Sequence, residues 1–339
     1  MAVASGEICQ PAAAIQVIAL AERRGVAVIS VIIEVITPVF GIVLIGWLAV
    51  RFHAIDEAAT RGLSLFAFNF AIPVMLLRTL AQTALPPQPE WRFVLAYFSG
   101  AFAVFGLAAL LAAAALQRRG AEPSIFGISA AFSNTTVLGI PIVLRAYGDA
   151  AAVPLSLILG FHSALLFTLT TVVAEVGAGA GAPMLTVVRK VVAGLLGNPI
   201  LWGIAGGLAL NLVGLSLPAV LDQLAATLGM AALPTALFAL GANLSRFHLG
   251  RTLRAALLLA VLKTVLQPAL IYMLGAYVFA LSPLSLAIAV TLAALPTGIN
   301  AYLFAARYDA AVGEATSTIL VSTAVSVVTL GLLLAHLKG

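Results

Sequence analysis

An apolar segment of the chain, from about residue 123 to residue 146, is interrupted at its centre by the stretch Ser133-Asn134-Thr135-Thr136-Val137-Leu138-Gly139-Ile140-Pro141. About 20 apolar residues can cross the hydrocarbon core of a bilayer, so the segment is long enough to span one. Pro141 lacks an N–H and clashes with the preceding turn, which predicts a kink or break in the helix near this residue. Inside hydrocarbon such a break survives only where it is packed in protein or lines a cavity.

A second stretch of the same kind follows far downstream, Leu295-Pro296-Thr297-Gly298-Ile299-Asn300-Ala301-Tyr302. It also places Pro, Gly, Thr and Asn in the middle of a hydrophobic segment. A single interruption is more often a simple proline kink, which membrane helices tolerate. Two interruptions in matching halves of a chain are the best sequence indication of a transporter's binding site. We therefore favour a binding site over two unrelated kinks.

The composition identifies a polytopic membrane protein. Of the 339 residues, 63% are hydrophobic and 9% are charged, whereas soluble domains carry about 25% charged residues. The formal net charge of +5 does not indicate nucleic-acid binding, because the basic residues are scattered at the ends of hydrophobic spans. Cys9 is the only cysteine, which excludes a disulfide framework and cysteine metal sites. The four histidines are far apart and there is no phosphate-binding loop, so neither a metal nor a cofactor is expected.

Hydropathy predicts an all-α protein with ten transmembrane helices. The spans are expected at about residues 30–50, 63–80, 93–116, 123–146, 153–176, 192–213, 221–244, 255–280, 284–306 and 315–337. Residues 1–29 are an N-terminal extension to which the sequence assigns no structure. Residues 30–176 form a first group of five helices, residues 177–190 a short cytoplasmic linker, and residues 191–339 a second group of five.

The distribution of Lys and Arg among the short joints predicts the orientation. With the N-terminus outside, the cytoplasmic joints hold Arg51, Arg61, Arg118, Arg119, Arg189, Lys190, Arg246, Arg251, Arg254 and Arg307. The outer joints then hold Arg23, Arg24, Arg78, Arg92, Arg145 and Lys338. The excess on one side predicts a multi-pass protein of the cell inner membrane with both termini outside.

The two halves of the chain look like copies of each other, because several residues recur at one constant offset. The matching pairs are Pro38 with Pro199, Gly46 with Gly207, Pro73 with Pro234, and Tyr147 with Tyr308. Because five is an odd number, the second half enters the membrane from the opposite side, and the two repeats are inverted. The broken fourth and ninth spans then cross near the bilayer centre. A half-helix that begins at each break presents unpaired N–H groups and a partial positive charge, which suit a carboxylate.

Several motifs resemble those of the auxin efflux carrier family. They are Asn134-Thr135-x-x-Leu138-Gly139-Ile140-Pro141-Ile142, Tyr147-Gly148-Asp149, Leu295-Pro296-x-Gly298-Ile299, Phe304-Ala305 with Tyr308, Phe70-x-Ile72-Pro73, and Asn198-Pro199. The resemblance covers about residue 31 to the C-terminus. It implies a ten-helix carrier with inverted five-helix repeats, similar to sodium/proton antiporters and bile-acid symporters. It also implies a scaffold of helices 1, 2, 6 and 7, a transport domain of helices 3–5 and 8–10, and organic-anion transport by elevator-type alternating access.

The resemblance implies that Asn134 is a substrate ligand and that Pro141 and Pro296 are the prolines of the crossover. Two departures from the plant carriers stand out. Their long hydrophilic loop is replaced by the short joint Gly177–Lys190, and the span at residues 93–116 lacks their acidic residue. An ion-coupling role for that acid is therefore not carried over.

The residues expected to bind substrate are Asn134, Thr135, Gly139, Pro141, Pro296, Gly298 and Asn300. Support or coupling roles are considered for Lys263, Gln267, Glu34 and His162. Lys263 with Gln267 could hold crossover carbonyls in place of a bound cation, could attract the anion, or could simply reach the interface. Glu34 could face the outer interface or carry a proton. His162 fits a hydrogen-bonded packing residue better than a group that titrates near neutral pH.

The leading hypothesis is a secondary transporter of a small carboxylate or dicarboxylate such as malonate, with proton or sodium coupling left open. The alternative is a cation/proton antiporter or a sodium-coupled symporter of the same architecture, although paired acidic residues in mid-span are not evident. An enzyme is not expected, because no Ser/His, Asp/Asp or His-Glu-x-x-His arrangement is found. The sequence does not fix the oligomeric state; homodimers are common among carriers of this architecture.

Overall fold

The computed structural model describes residues 35–83, 85, 90–177, 189, 192–193, 196–247 and 252–338. In this part of the chain the regular structure is helical, apart from one isolated antiparallel β-bridge between Ser133 and Thr297. The N-terminal extension 1–29 and Glu34, which the sequence analysis singled out, lie outside the described residues.

Twelve helices with described bounds form the fold. They are α1 (Thr37–Arg51), α2 (Glu57–Gln82), α3 (Trp91–Ala115), α4 (Glu122–Ala131), α5 (Thr135–Tyr147), α6 (Asp149–Gly177), α7 (Pro199–Val213), α8 (Ala219–Leu244), α9 (Leu253–Val278), α10 (Pro283–Ala294), α11 (Asn300–Tyr308) and α12 (Val312–Lys338). Six of them, α2, α3, α6, α8, α9 and α12, are long and apolar enough to cross a membrane. The segments expected at residues 123–146 and 284–306 are each divided into two shorter helices, α4 with α5 and α10 with α11.

Three of the proline residues inside the helices are preceded by π-turns rather than by breaks, whereas Pro234 lies within α8 without one. The π-turn Ala67–Ala71 precedes Pro73, and the π-turn Leu262–Leu266 precedes Pro268. The turn Thr135–Gly139 stands in the same way before Pro141. A proline ring clashes with the carbonyl four residues before it, and a widened turn relieves that clash while the helix continues. Of the kink or break expected near Pro141, the structure shows a π-turn directly before this residue, whereas the break itself lies earlier, at Phe132.

Close backbone contacts join α2 to α7 and α1 to α8. A Cβ atom added at Gly207 would lie 2.5 Å from the carbonyl oxygen of Leu77, and one added at Gly46 would lie 2.0 Å from that of Phe238. Gly207 follows Gly46 at the same spacing as Phe238 follows Leu77, so the two contacts are equivalent. The absence of side chains at these positions allows the helices to approach closely.

The helices α2 and α8 run antiparallel, as contacts at both of their ends show. Arg78, near the end of α2, forms a bidentate ion pair with Asp222 at the start of α8, with N–O distances of 2.7 and 3.0 Å. At the other end the amide of Asn243 donates to the hydroxyl of Ser64 at 3.3 Å. We call α1, α2, α7 and α8 the four-helix unit.

The remaining helices, α3–α6 and α9–α12, surround the two interruptions. Their ends are joined by Arg118 with Glu314 at 3.0 Å and by Tyr308 with Glu175 at 3.2 Å. At the corresponding end of the four-helix unit, Arg246 pairs with Glu57 at 2.9 Å. We call this end of the molecule the basic end, because its arginines include Arg51, Arg61, Arg118, Arg119, Arg246, Arg254 and Arg307. The opposite end holds Arg78, Arg92 and Arg145.

Candidate functional site

The first interruption lies between α4 and α5. Helix α4 ends at Ala131, Phe132 is extended, and Asn134 caps α5 by accepting a hydrogen bond on Oδ1 from the N–H of Val137 at 3.3 Å. An amide side chain at this position satisfies one of the backbone donors that every helix start leaves free. The side chain of Asn134 is therefore held at the start of the second half-helix.

The second interruption crosses the first. The N–H of Asn134 donates to the carbonyl of Pro296 at 2.9 Å, and the N–H of Gly298 donates to the carbonyl of Phe132 at 2.9 Å. Pro296 thus lies in the crossing, whereas Pro141 lies within α5, beyond the π-turn. A Cβ atom added at Gly298 would lie 2.8 Å from the ring of Phe132, so a glycine is needed for this approach.

Polar groups of α4 and α12 brace the crossing at Thr297. The hydroxyl of Thr297 donates to the carbonyl of Ser129 at 2.7 Å, and its N–H donates to the hydroxyl of Ser322 at 3.1 Å. All three residues are fully buried. Neither Ser129 nor Ser322 was singled out from the sequence, since a serine in an apolar helix gives no signal of its role.

Two side chains of α9 take up carbonyls that the interruptions release. The amino group of Lys263 donates to the carbonyl of Ala293 at 2.5 Å, and the amide of Gln267 donates to that of Ala131 at 3.0 Å. These carbonyls belong to the last but one residue of α10 and to the last residue of α4. Lys263 and Gln267 are both 0% exposed. Of the alternatives for Lys263, reaching the interface is therefore wrong, and holding the crossover carbonyls matches its contacts.

His162 and Tyr97 meet at Ser133. The Nε2 atom of His162 lies 3.1 Å from the carbonyl oxygen of Ser133, and the hydroxyl of Tyr97 donates to the hydroxyl of Ser133 at 3.2 Å. The ring of His162 also lies 4.4 Å, centre to centre, from that of Phe132. These contacts match the interpretation of His162 as a buried packing residue. Tyr97 was missed because a tyrosine in an apolar helix usually signals packing alone.

Within the described residues, the crossing leaves several donors without partners, and also one buried side-chain acceptor, the Oε1 atom of Gln267. Carbonyl groups of Ser129, Ala131, Phe132, Ser133, Ala293 and Pro296 all accept hydrogen bonds. By contrast, within the described residues the side-chain NH₂ of Asn134 and the backbone N–H of Thr136, Ile299 and Asn300 donate none. Unpaired N–H groups at two helix starts favour an anion. The arrangement is therefore suited to a carboxylate.

The other expected residues lie close to the crossing, and one of them, Thr135, donates its backbone N–H to the carbonyl of Ser133 at 2.8 Å. Thr135 and Gly139 are the first and last residues of the π-turn of α5, and both are buried. A Cβ atom at Gly139 would lie 3.0 Å from the side chain of Leu295. Asn300 is the first residue of α11 and is half-buried. The structure thus brings together six of the seven residues expected to bind substrate. The seventh, Pro141, lies more than one helical turn away along α5.

Comparison with known proteins gives a family match over most of the chain. Residues 31–334 match the family described as "Membrane transport protein". The "Putative malonate transporter" of Rhizobium meliloti is 28% identical over 294 residues, which cover 87% of this chain and 92% of that protein. The "Uncharacterized transporter" of Methanothermobacter thermautotrophicus is 24% identical over 303 residues, covering 88% of this chain and 96% of that protein. A local match of 110 residues, at 32% identity, joins this chain to 13% of the mouse "Lysosomal cholesterol signaling protein".

Proposed function

Because the chain belongs to the membrane transport protein family, we propose that it is a secondary carrier of a small organic anion, a carboxylate or dicarboxylate such as malonate. The family match confirms the resemblance to the auxin efflux carriers that the motifs indicated. The substrate class is our inference. It draws on the name of the Rhizobium meliloti relative and on the hydrogen-bond inventory of the crossing.

The observation that carries the proposal is the set of free N–H groups at the two helix starts where the interruptions cross. A cation would need oxygen ligands, yet three of the carbonyls there already accept hydrogen bonds from Lys263, Gln267 and Thr297. A carboxylate needs donors, and Asn134 and Asn300 supply them. Charge-assisted hydrogen bonds of this kind are roughly twice as strong as neutral ones.

The alternative of a cation/proton antiporter or a sodium-coupled symporter of the same architecture is less favoured. Such a site would require carboxylates near the crossing. Among the described residues, the side chains that hydrogen-bond to the crossing are Tyr97, His162, Lys263, Gln267, Thr297 and Ser322, none of which is acidic. In our proposal the amino group of Lys263 holds the carbonyl of Ala293 at the C-terminal end of α10, in the place that a bound cation would take. Proton or sodium coupling stays a prediction, as does a homodimer.

The architecture that we propose has ten spans in two inverted repeats. Each of the helices α1–α6 has a counterpart in α7–α12, at close to the offset that separates Gly46 from Gly207. His53 and Gly214, which follow the ends of α1 and α7, are separated by that same offset, and both have positive φ, 58° and 72°. Gly148 and Asp309 repeat this pattern after α5 and α11, with φ of 69° and 47°. The equivalent contacts at Gly46 and Gly207 support the same relation.

In this architecture the four-helix unit is the scaffold, and the helices around the crossing carry substrate past it in an elevator-type movement. The basic end would face the cytoplasm of a cell inner membrane, because Lys and Arg are retained on that side. Both chain termini would then lie outside. A reporter protein that is active only in the cytoplasm, fused to the C-terminus, tests this orientation and should be inactive.

The proposal predicts that Asn134→Ala weakens carboxylate binding about tenfold, since a hydrogen bond to a charged group contributes about 1.5–3 kcal/mol. The measurement is the uptake of labelled malonate into liposomes that contain the purified protein, with the substrate concentration varied. The Michaelis constant is expected to rise, and the unfolding temperature to fall slightly, because the variant also loses the side-chain cap of α5.

The matched control is Asn211→Ala, because Asn211 holds backbone carbonyls at the end of α2, within the four-helix unit and away from the crossing. It should lower the unfolding temperature without a comparable change in the Michaelis constant. Failure of the wild-type protein to transport malonate or any other small carboxylate, with or without a pH or sodium gradient, would refute the proposed function.

A further inference from the structure

A cavity of about 580 Å³ opens at the basic end, between the four-helix unit and the helices of the crossing. One wall comes from α2 and the end of α8, with Glu57, Arg61, Ser64, Asn243 and Arg246. The other wall comes from α11, α12 and the residue before α11, with Ile299, Tyr302, Leu303 and Thr316. A volume of this size accommodates a small organic molecule together with water.

The charges that line this cavity are predominantly positive. Arg246 is paired with Glu57, whose side chain is 76% exposed, so this pair contributes little net charge. Arg61 forms no ion pair within the described residues. The cavity therefore carries an excess of one positive charge, beside the amide of Asn243 and the hydroxyl of Ser64. These groups suit an anion that is still partly hydrated.

The cavity is continuous with the second interruption. Ile299, which lines it, immediately precedes Asn300, the first residue of α11. The N–H groups of both residues lack a partner within the described part of the chain. An anion in the cavity would thus face the positive end of α11 on one side and the arginines on the other.

We propose that this cavity is a staging site, in which an organic anion is first held by Arg61 and Arg246 before it reaches the crossing. This inference rests on the proposed function and adds to it a second binding position, distinct from the crossing. Apolar cleft walls with one sign of charge raise the local concentration of the oppositely charged ligand and its rate of entry. Arg61 and Arg246 act here on the approach of the substrate and have no contact with the crossing.

The Glu57–Arg246 pair also ties α2 to α8, so a purely structural role for these residues needs a separate readout. An electrostatic role and a purely structural role predict different effects of Glu57→Gln. If the cavity acts through its charge, Glu57→Gln increases the attraction of anions, whereas Arg61→Gln and Arg246→Gln reduce it. If the pair acts only as a clamp, Glu57→Gln and Arg246→Gln have the same effect and Arg61→Gln has none.

The test measures the electrostatic potential of the cavity by thiol modification of the full-length protein. In a Cys9→Ser background, Ser64→Cys places one thiol in the cavity, and its rates of reaction with an anionic sulfonate and a cationic trimethylammonium methanethiosulfonate are compared. Removing one positive charge should slow the reaction of the anionic reagent about threefold and accelerate that of the cationic reagent about threefold. This is the effect of one unit charge acting on another across about 7 Å of water. The ratio of the anionic to the cationic rate should therefore fall about tenfold in Arg61→Gln and Arg246→Gln and rise about tenfold in Glu57→Gln.

Arg254→Gln is the matched control, because Arg254 lies at the same end of the molecule and does not line the cavity. It should leave the ratio within about twofold of the parent at physiological salt, because charges separated by clearly more than about 8 Å are largely screened. Thr316→Cys provides a second thiol in the same cavity if Ser64→Cys does not fold. A parent protein that reacts faster with the cationic reagent, or a ratio that the arginine variants do not change, would overturn the proposal.

The transport assay separates this inference from the proposed function. At malonate concentrations below the Michaelis constant, the initial uptake rate of the wild type should fall with added salt, and the Arg61→Gln rate should be lower and depend less on salt. Malonate uptake that is insensitive to Arg61→Gln refutes the staging site and leaves the carrier assignment intact. An anion-selective thiol ratio without uptake of any carboxylate supports the staging site as an anion site and refutes the carrier assignment.

Discussion

Replacing Lys263 by methionine is expected to lower the rate of malonate uptake about 10- to 100-fold. Leaving a buried acceptor without its donor costs about 1–3 kcal/mol, and a factor of ten corresponds to about 1.4 kcal/mol. The variant leaves the carbonyl of Ala293 without its donor and removes the buried amino group beside the crossing. The measurement is the initial uptake rate in liposomes at a saturating malonate concentration.

The same variant should remain folded, because methionine fills the volume of the lysine stem and removes the cost of burying an amino group. An unfolding temperature equal to or above that of the wild type, combined with the loss of uptake, would separate function from stability. Arg254→Met removes an exposed basic side chain from the same helix and should preserve uptake. Unchanged uptake in Lys263→Met would refute the role that we assign to its amino group.

Replacing Gly46 or Gly207 by alanine is expected to destabilise the four-helix unit severely. Each added methyl group would overlap a backbone oxygen, that of Phe238 at 2.0 Å or that of Leu77 at 2.5 Å. Backbone cannot rotate away as a side chain can, so the paired helices must separate. Overpacking of this kind typically costs about 1–3 kcal/mol and occasionally more. A lower thermal unfolding temperature in detergent and a lower yield of monodisperse protein are the expected results.

Gly41→Ala is the matched control on the same helix, because no atom would lie within 4 Å of its Cβ. It should leave the unfolding temperature and the yield close to those of the wild type. The two sensitive positions should also respond alike, since they occupy equivalent contacts. A protein that tolerates alanine at Gly207 as well as at Gly41 would contradict the close approach of α2 and α7.

The existence of the two interruptions was predictable from the sequence, but the place of the first break was not. Asn, Gly and Pro in the middle of an apolar segment disfavour a regular helix, whatever the tertiary structure. The kink or break was expected close to Pro141, because proline disfavours a regular helix in the turn before it. In the structure a π-turn accommodates Pro141, and the chain leaves the helix at Phe132. Such an adjustment depends on the packing of neighbouring helices, which one segment of sequence does not contain.

The candidate site was predictable in part for a similar reason. Asn134, Pro296 and Gly298 stand in the interrupted stretches, so their own sequence neighbourhood places them at the crossing. The role of Lys263 was left open because the sequence does not show that α9 passes beside the ends of both α4 and α10. Tyr97 and Thr297 gave no signal of their contacts. Their partners belong to other helices, far away along the chain, and only the fold brings them together.

The pairing of α1 with α8 and of α2 with α7 has a consequence for biosynthesis. The helices α1 and α2 must wait in the bilayer, with the surfaces that pack against α8 and α7 uncovered, until most of the polypeptide has been translated. A chain severed between residues 177 and 189 would yield two pieces, each deprived of the neighbours of its own leading helices. Neither piece would be expected to accumulate alone, whereas co-production of both could rebuild the whole from its parts.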